Sequence, residues 1–268
     1  MKRQHIYYSK TTVRLQMNYI KMFICDGREV RIEMTKIIAH RGACGEENVE
    51  NTLETFEKAI LLGADMVEFD VRHTKDNVLV VYHNRNLGDL PIDLTLYDAL
   101  EQEANRQGFH LPIFREVVEL CHGRTFMDIE FKEHGFEKQA IKILHELADY
   151  DEYSIKSFDD NVPYTVKEID SNITTGLLTG CKKANVKKRL NELFPVRRLR
   201  ACKADFISPY AALMRMGFIT RMHRAGYPVY VWTVNNEKLM RIYLFKKIDG
   251  IITDRPDVAM RLRDKRKK

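Results

Sequence analysis

The sequence lacks any uninterrupted apolar run near the roughly 18 residues that a membrane-spanning helix needs. It still has a large supply of core residues, since 44% of its 268 residues are hydrophobic. Near the N-terminus, the apolar stretch from Tyr19 to Cys25 is short and is broken by Lys21, so it does not resemble the apolar region of a signal peptide. We therefore expect no transmembrane segment and a cytoplasmic location.

Cysteine is scarce and shows no paired spacing. The five cysteines are Cys25, Cys44, Cys121, Cys181 and Cys202. An odd number without a regular spacing argues against a disulfide framework and against a structural zinc site. This usage suits a reducing compartment, which agrees with the predicted cytoplasmic location.

The net charge of +6 is concentrated at the two ends of the chain. Residues 1–33 carry +4 and residues 261–268 carry +5, so the region between them is mildly acidic at −3. A nucleic-acid partner is therefore not expected. The basic ends leave open a weak, salt-sensitive contact with anionic lipid, and no pattern indicates an oligomeric state.

Predicted strands and helices alternate along most of the chain, which is the pattern of a parallel sheet. The eight predicted strands are Lys36–Ala39, Met66–Val71, Phe126–Phe131, Tyr153–Ser157, Thr174–Leu178, Phe206–Ser208, Val229–Thr233 and Gly250–Thr253. After strand two, the turn at Lys75–Asn77 predicts a short antiparallel return over Val78–Tyr82. Eight strands and one hairpin are the count that a closed barrel requires, and residues 36–268 are of ordinary size for one barrel domain. Residues 1–35 fit no barrel element and are predicted to be a loosely attached extension.

Charged side chains occur at the ends of the predicted strands. Glu68 and Asp70 lie two residues apart in strand two, so both point to the same face. In strand three, Asp128, Glu130 and Lys132 share a face in the same way. Such residues are rarely buried without partners. Glu130 would complete a set of three carboxylates with Glu68 and Asp70, and oxygen ligands of this kind suit Mg²⁺ or Ca²⁺.

The order of motifs resembles the glycerophosphodiester phosphodiesterases, a (β/α)8 TIM-barrel family, from about Lys36 to Arg261. The matching motifs are His40-Arg41-Gly42, Glu50-Asn51-Thr52, Gly63-Ala64-Asp65, Glu68-Phe69-Asp70-Val71, Thr74-Lys75-Asp76, Val80-Val81-Tyr82-His83, Ile129-Glu130-Phe131-Lys132, Val231-Trp232-Thr233-Val234-Asn235 and Asp249-Gly250-Ile251-Ile252-Thr253-Asp254-Arg255-Pro256. The resemblance implies a (β/α)8 barrel with a hairpin insertion after strand two. It also implies metal-dependent hydrolysis of small-molecule glycerophosphodiesters to sn-glycerol 3-phosphate and an alcohol.

The resemblance also implies a role for each site residue. Glu68, Asp70 and Glu130 would bind one divalent cation, either Mg²⁺ or Ca²⁺. Arg41 and Lys132 would bind the phosphate, whereas His40 and His83 would divide general acid and general base catalysis. Trp232 would pack against the glycerol carbons, although a place in the core is an equal alternative for this aromatic residue. These roles and their assignment are expectations at this stage.

The chain departs from the family pattern at two positions near these motifs. Asn84 follows His83 where the family usually has Asp, and Val49 precedes Glu50 where it usually has Pro. The segment between His83 and Glu130 is also short and lacks the usual Arg-Thr-Thr-Gly-like run. These departures remove no predicted metal or proton-transfer residue. The sequence does not identify the alcohol group of the substrate.

Two other function classes fit parts of the sequence. A lysophospholipase D-like enzyme would need an apolar groove for a lipid, for which Leu213–Phe218 is the candidate segment. A non-catalytic barrel that binds glycerophosphate ligands would not need both His40 and His83. The remaining histidines are predicted to be surface residues: His5, His73, His110, His122, His134, His145 and His223.

Overall fold

The structure is a computed structural model that describes residues 20–25, 28–45, 49–180, 186–246 and 248–265, with side chains described outside 20–33 and 186–188. Its strands are β1 (Ile20–Cys25), β2 (Arg28–Glu33), β3 (Lys36–His40), β4 (Met66–His73), β5 (Leu79–Val81), β6 (Asn86–Leu87), β7 (Leu90–Pro91), β8 (Phe126–Phe131), β9 (Tyr153–Ser157), β10 (Thr175–Thr179), β11 (Phe206–Pro209), β12 (Tyr230–Val231) and β13 (Gly250–Thr253). The helices are α1 (Leu53–Leu62), α2 (Tyr97–Arg106), α3 (Phe114–Cys121), α4 (Glu137–Leu147), α5 (Asn161–Ile169), α6 (Val186–Leu193), α7 (Val196–Ala201), α8 (Phe218–Arg224), α9 (Glu237–Phe245) and α10 (Pro256–Asp264).

Eight parallel strands form the predicted barrel. They follow the order β11, β10, β9, β8, β4, β3, β13 and β12. Isolated parallel bridges between Ile207 and Val229 and between Tyr210 and Trp232 join β11 to β12 and complete the ring. The predicted (β/α)8 barrel is therefore confirmed, with all eight strands at the expected places in the chain.

The predicted hairpin after the second barrel strand is also present. β5 pairs antiparallel with the end of β4, so that Val71 lies opposite Val81. A turn closes the hairpin, in which Asn77 has a φ of 60° and Thr74 donates a hydrogen bond to Asp76 at 2.6 Å. The return strand brings the chain back to the carboxyl end of β4, which places His83 next to the barrel mouth.

The N-terminal strands β1 and β2 pair with each other in a separate two-stranded sheet. Residues 1–19 lie outside the described residues. The domain boundary after residue 35 stays a prediction.

The segment between His83 and Glu130 contains structure that the sequence analysis did not predict. It includes the β6–β7 ribbon, a 3-10 helix at Ile92–Leu94, and helices α2 and α3. Six buried residues form a small core here: Val80, Leu87, Ile92, Leu100, Ala104 and Leu111. The segment thus supports β5, the strand that carries the chain to His83.

Large aromatic side chains fill the amino-terminal end of the barrel interior. Phe206 and Tyr230 lie 4.9 Å apart between ring centroids. Gly176 makes room for them, because a Cβ there would lie 2.2 Å from the Phe206 ring. This end of the barrel is packed, so any cavity must open at the other end, where barrel active sites occur.

Two apolar cores lie between the barrel wall and the outer helices. On the β4 side, the Phe69 ring packs 5.5 Å from Phe56 of α1 and 6.2 Å from Phe114 of α3. Each such buried side chain contributes about 1.5–3 kcal/mol to the free energy of unfolding. Alternate residues of β4 therefore secure the strand from outside, while Glu68 and Asp70 face inward.

Candidate active site

The turn after β3 places Arg41 and orients its backbone toward a carboxylate. Arg41 has a left-handed φ of 55°, and Gly42 follows with a φ of 88°. A Cβ at Gly42 would lie 2.8 Å from the backbone of Thr55, so only glycine fits this turn. In this conformation the Arg41 N–H donates to Glu68 Oε2 at 3.1 Å.

The start of α1 holds two more polar contacts to the site. Thr52 is the N-cap residue, and its hydroxyl accepts a hydrogen bond from the Thr55 N–H. Just before it, Asn51 donates to Asp70 Oδ2 at 2.9 Å, and both oxygens of Glu50 accept from Arg41 at 2.9 Å. Glu50 and Asn51 therefore position site residues as well as beginning the helix.

Three buried carboxylates converge at the carboxyl ends of β4 and β8. One oxygen each from Glu68, Asp70 and Glu130 lies within 4.8 Å of the others. Register explains the convergence, because Asp70 lies directly opposite Glu130 on the neighbouring strand. The cluster has the donor set that Mg²⁺ and Ca²⁺ prefer.

Cations surround this cluster on the mouth side. Lys132 Nζ lies 2.5 Å from Glu130 Oε1 and 3.2 Å from Asp70 Oδ1, and Arg41 Nε lies 3.2 Å from Asp70 Oδ2. Burial raises the pKa of Asp70, but Lys132 and Arg41 outweigh it and hold that pKa below its usual value. Burial and repulsion from Asp70 and Glu68 raise the pKa of Glu130 despite Lys132. The three carboxylates thus carry more negative charge than these side chains fully compensate, which fits a divalent cation at their centre.

Beneath the cluster lies an ion pair that the sequence analysis did not predict as part of the site. The Lys156 side chain is 1% exposed, and its Nζ lies 2.5 Å from Asp128 Oδ2 and 3.3 Å from Glu68 Oε1. Ser154 donates to the other Asp128 oxygen at 3.2 Å. The one signal in the sequence was the alternation along β9, which puts Lys156 on the same face as Ser154 and opposite to Tyr153 and Ile155.

His40 is held by a carboxylate at the end of β13. Its Nδ1 lies 2.5 Å from Asp254 Oδ1, and the other Asp254 oxygen accepts from Asn235 at 2.5 Å. Burial lowers the pKa of His40, but the hydrogen bond to Asp254 and the charge of Glu68 outweigh it and raise that pKa. The contact therefore stabilises the protonated imidazole.

His83 has a different partner. Its Nδ1 lies 2.9 Å from Asn84 Oδ1, and because this oxygen only accepts, Nδ1 carries the hydrogen and Nε2 keeps its lone pair. The Arg72 guanidinium holds the His83 carbonyl oxygen at 2.9 and 3.1 Å. Burial lowers the pKa of His83 and outweighs the opposing effect of Asp70. The pKa of His40 is thus raised and the pKa of His83 is lowered.

Aromatic rings form the opposite wall of the mouth. Trp232 donates from its indole N–H to the Ser208 carbonyl at 2.9 Å. Its ring lies 5.5 Å from Phe158 and 5.3 Å from Tyr210, and both of these rings are partly exposed. Trp232 is therefore a fixed ring at the cavity wall, not a core residue enclosed on all sides.

A cavity of about 650 Å³ joins these groups. Seven of the eight predicted site residues line it, and Asp70 lies buried against Arg41 and Lys132. The seven are His40, Arg41, Glu68, His83, Glu130, Lys132 and Trp232. The sequence analysis assigned no role to Asp254, Asn51, Asp128 or Lys156, because their partners lie on other strands and loops.

The candidate segment for a lipid groove, Leu213–Phe218, is buried at its two ends and exposed at Arg215, Met216 and Gly217. Leu213 and Phe218 are 3% and 1% exposed and pack against the barrel, whereas Met216 is exposed. The other histidines within the described residues each lie beside a carboxylate and do not line the cavity. They are His73, His110, His122, His134, His145 and His223. No helix among the described residues is long and apolar enough to cross a membrane.

Proteins similar to this chain include members of one enzyme family. A model of the "Glycerophosphoryl diester phosphodiesterase family" matches residues 40–258. The glycerophosphodiester phosphodiesterase of Caldanaerobacter subterraneus subsp. tengcongensis is 29% identical over 247 residues, which cover 85% of this chain and 97% of that protein.

Solved structures show the same fold. The glycerophosphodiester phosphodiesterase of Thermotoga maritima superposes with a TM-score of 0.72 at 23% identity, covering 86% of this chain and 99% of that one. An Oleispira antarctica phosphodiesterase, solved in complex with the product sn-glycerol-3-phosphate, superposes with a TM-score of 0.73 at 22% identity, covering 86% and 97% of the two chains. With the family model matched over most of its length, the chain belongs to the glycerophosphoryl diester phosphodiesterase family and is an enzyme of that family.

Proposed function

We propose that the protein hydrolyses glycerophosphodiesters to sn-glycerol 3-phosphate and an alcohol, with a divalent cation and two histidines. The observation that carries this proposal is the meeting of three buried carboxylates with two histidines of different environment at one cavity. A site that only binds its ligand does not need two proton-transfer groups of opposite tendency.

Glu68, Asp70 and Glu130 would hold the cation. When bound, Mg²⁺ or Ca²⁺ supplies positive charge to the phosphate and lowers the pKa of an attacking hydroxyl or water. Lys132 now lies against two of these carboxylates. Its ammonium group would move toward the phosphate when the cation takes up their charge.

Arg41 and Lys132 would bind the phosphate oxygens. Ion pairs with Glu50 and Asp70 hold the Arg41 guanidinium at the mouth, so little side-chain entropy is lost when it binds a phosphate. Charged donors held in advance at this place stabilise the negative charge that develops in the transition state.

The histidines would carry the two proton transfers. His83 Nε2 would accept the proton of the attacking oxygen, since burial and the nearby Lys132 and Arg41 lower the pKa of His83 and favour the uncharged ring. His40, paired with Asp254, would donate a proton to the oxygen of the leaving alcohol as the P–O bond breaks. One proton is taken up and one is released, so the pair returns to its starting state after a proton passes back through solvent.

Trp232 would pack against the glycerol carbons. The ring is fixed by Ser208 and lies on the wall that faces the charged residues. This arrangement would set the polar phosphate on one side and the carbon chain on the other.

The test is release of glycerol 3-phosphate from glycerophosphocholine and from glycerophosphoethanolamine. We expect release to stop with EDTA and to return when Mg²⁺ or Ca²⁺ is restored, and the restoring ion identifies the metal. Release that is unaffected by EDTA would contradict the metal role. No release from folded protein with either ion would contradict the proposed substrates, and a parallel assay with a lysophospholipid then tests the lysophospholipase D alternative.

A second arm tests whether the barrel binds without turnover. Ligand binding by His40→Ala with loss of release supports catalysis by this residue. Equal release by the variant and the unmodified protein would contradict it.

A further inference from the structure

Lys156 is the most deeply buried lysine that contacts the site. Its side chain is 1% exposed, it comes from β9, and it lies directly opposite Glu130 of β8, where it lines the cavity. Its ammonium group contacts Asp128 and Glu68, and the proposed mechanism gives it no proton-transfer or phosphate-binding role. A fully buried ammonium group is costly unless it is paired, so its presence needs a reason.

The contacts of Glu68 supply that reason. Arg41 holds Glu68 Oε2 through its backbone N–H at 3.1 Å, and Lys156 Nζ lies 3.3 Å from Glu68 Oε1. Both oxygens are therefore held in place. The two holding groups come from different strand ends, so the carboxylate cannot turn without breaking one of the contacts.

Asp128 balances the charge of Lys156. The two groups are 2.5 Å apart, and Ser154 satisfies the second oxygen of Asp128. Because the Lys156–Asp128 pair is neutral as a whole, it can direct Glu68 without adding net charge beneath the cation site.

We propose that Lys156 is a positioning residue that fixes the orientation of Glu68 for the divalent cation. This inference rests on the proposed metal role of Glu68, Asp70 and Glu130. Lys132 differs from Lys156, since Lys132 contacts Asp70 and Glu130 from the mouth side and can leave them. Lys156 stays in place whether or not a cation is bound.

The test uses the double variant Lys156→Met/Asp128→Asn, which removes both charges and keeps the net charge of the pair at zero. Isothermal titration with Mg²⁺ and with Ca²⁺ measures cation binding directly. We expect the dissociation constant to rise about 10–100-fold, the usual effect of losing a partner of a metal ligand. We also expect kcat at saturating cation to recover more fully than activity at low cation.

A matched control removes another buried ion pair, at the opposite end of the barrel. Asp65→Asn/Arg263→Met deletes the Asp65–Arg263 contact, which lies beside the start of β3 and touches no site residue described above. Both double variants should lower the melting temperature, but only the Lys156 variant should weaken cation binding. Equal cation affinity in the Lys156 double variant and the unmodified protein would overturn the inference.

The single variant Lys156→Met separates positioning from simple charge. A lysine that acted only by repelling the cation would give tighter binding when removed, whereas a positioning lysine gives weaker binding. Tighter binding by folded Lys156→Met would therefore also overturn the inference. If the unmodified protein binds neither ion, the proposed metal role itself fails, which is a result distinct from either outcome above.

Discussion

The two halves of the barrel contribute different chemistry to the same cavity. The first half, residues 36–132, supplies the charged residues of the mouth. The second half, residues 153–253, supplies mostly apolar and aromatic residues of the opposite wall: Phe158, Leu178, Tyr210, Trp232 and Ile252. Lys156 is the charged exception in the second half, and it lies buried against Glu68 and Asp128 of the first.

The sheet itself differs between the halves. β4 and β8 pair over six residues, from Met66–Phe126 to Val71–Phe131. By contrast, β12 is two residues long and meets β11 only through isolated bridges. The three clustered carboxylates therefore sit on the longest regular pairing of the barrel, while the aromatic wall sits on its least regular part.

The largest test of this division removes the histidines. His40→Ala and His83→Ala should each lower kcat about 10²–10⁴-fold, because each loses one proton transfer. His110→Ala is the matched control, since His110 pairs with Glu101 and Glu116 away from the cavity. Steady-state release of glycerol 3-phosphate measures all three. Release by His40→Ala or His83→Ala at the rate of the unmodified protein would contradict the proposed division.

A smaller effect comes from exchanging the partners of the histidines. Asn84→Asp places a carboxylate beside His83 and raises its pKa, so the acid limb of the kcat/KM profile should move up by about one pH unit. The acid limb moves up because His83 must be unprotonated to act as the base, and a raised pKa keeps it protonated to higher pH.

The reverse exchange is made at the other histidine. Asp254→Asn removes the carboxylate that raises the pKa of His40, so the alkaline limb should move down by about one pH unit. The acid must be protonated, and it now loses its proton at lower pH. Movement of the opposite limb in either variant would reverse the assignment of acid and base.

The smallest effects belong to the aromatic wall. Trp232→Leu should raise KM about 3–10-fold with little change in kcat, because it removes ring contacts worth about 0.5–1.5 kcal/mol with the substrate's carbon atoms. Phe158→Leu should do less, since its ring is partly exposed and meets Trp232 edge-on. KM values for glycerophosphocholine and glycerophosphoethanolamine check both. A large fall in kcat for Trp232→Leu would place the ring in the chemistry and not only in binding.

Much of the fold followed from local patterns in the sequence. Alternating strands and helices predicted the barrel, and the two-residue spacing of Glu68 with Asp70 and of Asp128 with Glu130 predicted an inward polar face. Those signals are local, because strand parity and turn residues are set by neighbours along the chain.

The parts that were missed depend on contacts between distant segments. Asp254 was recognised at a strand end, but its pairing with His40 spans 214 residues. Lys156 reaches Glu68 and Asp128 only once three strands lie side by side. Helices α2 and α3 were not predicted, because both depend on contacts outside the helix: α2 packs in the small core with Val80 and Leu87, and α3 packs through Phe114 against Phe69 of β4.

The way the barrel closes has a consequence for how the protein is made. β13, near the C-terminus, pairs with β3, the first barrel strand, and Arg263 of α10 reaches the Thr35 carbonyl and Asp65 beside it. While the ribosome is still synthesising the second half, β3 has an exposed edge with unpaired backbone groups, which is a site for wrong pairing. The barrel can therefore close only after β13 has left the ribosome, and until then the edge of β3 stays open to wrong pairing.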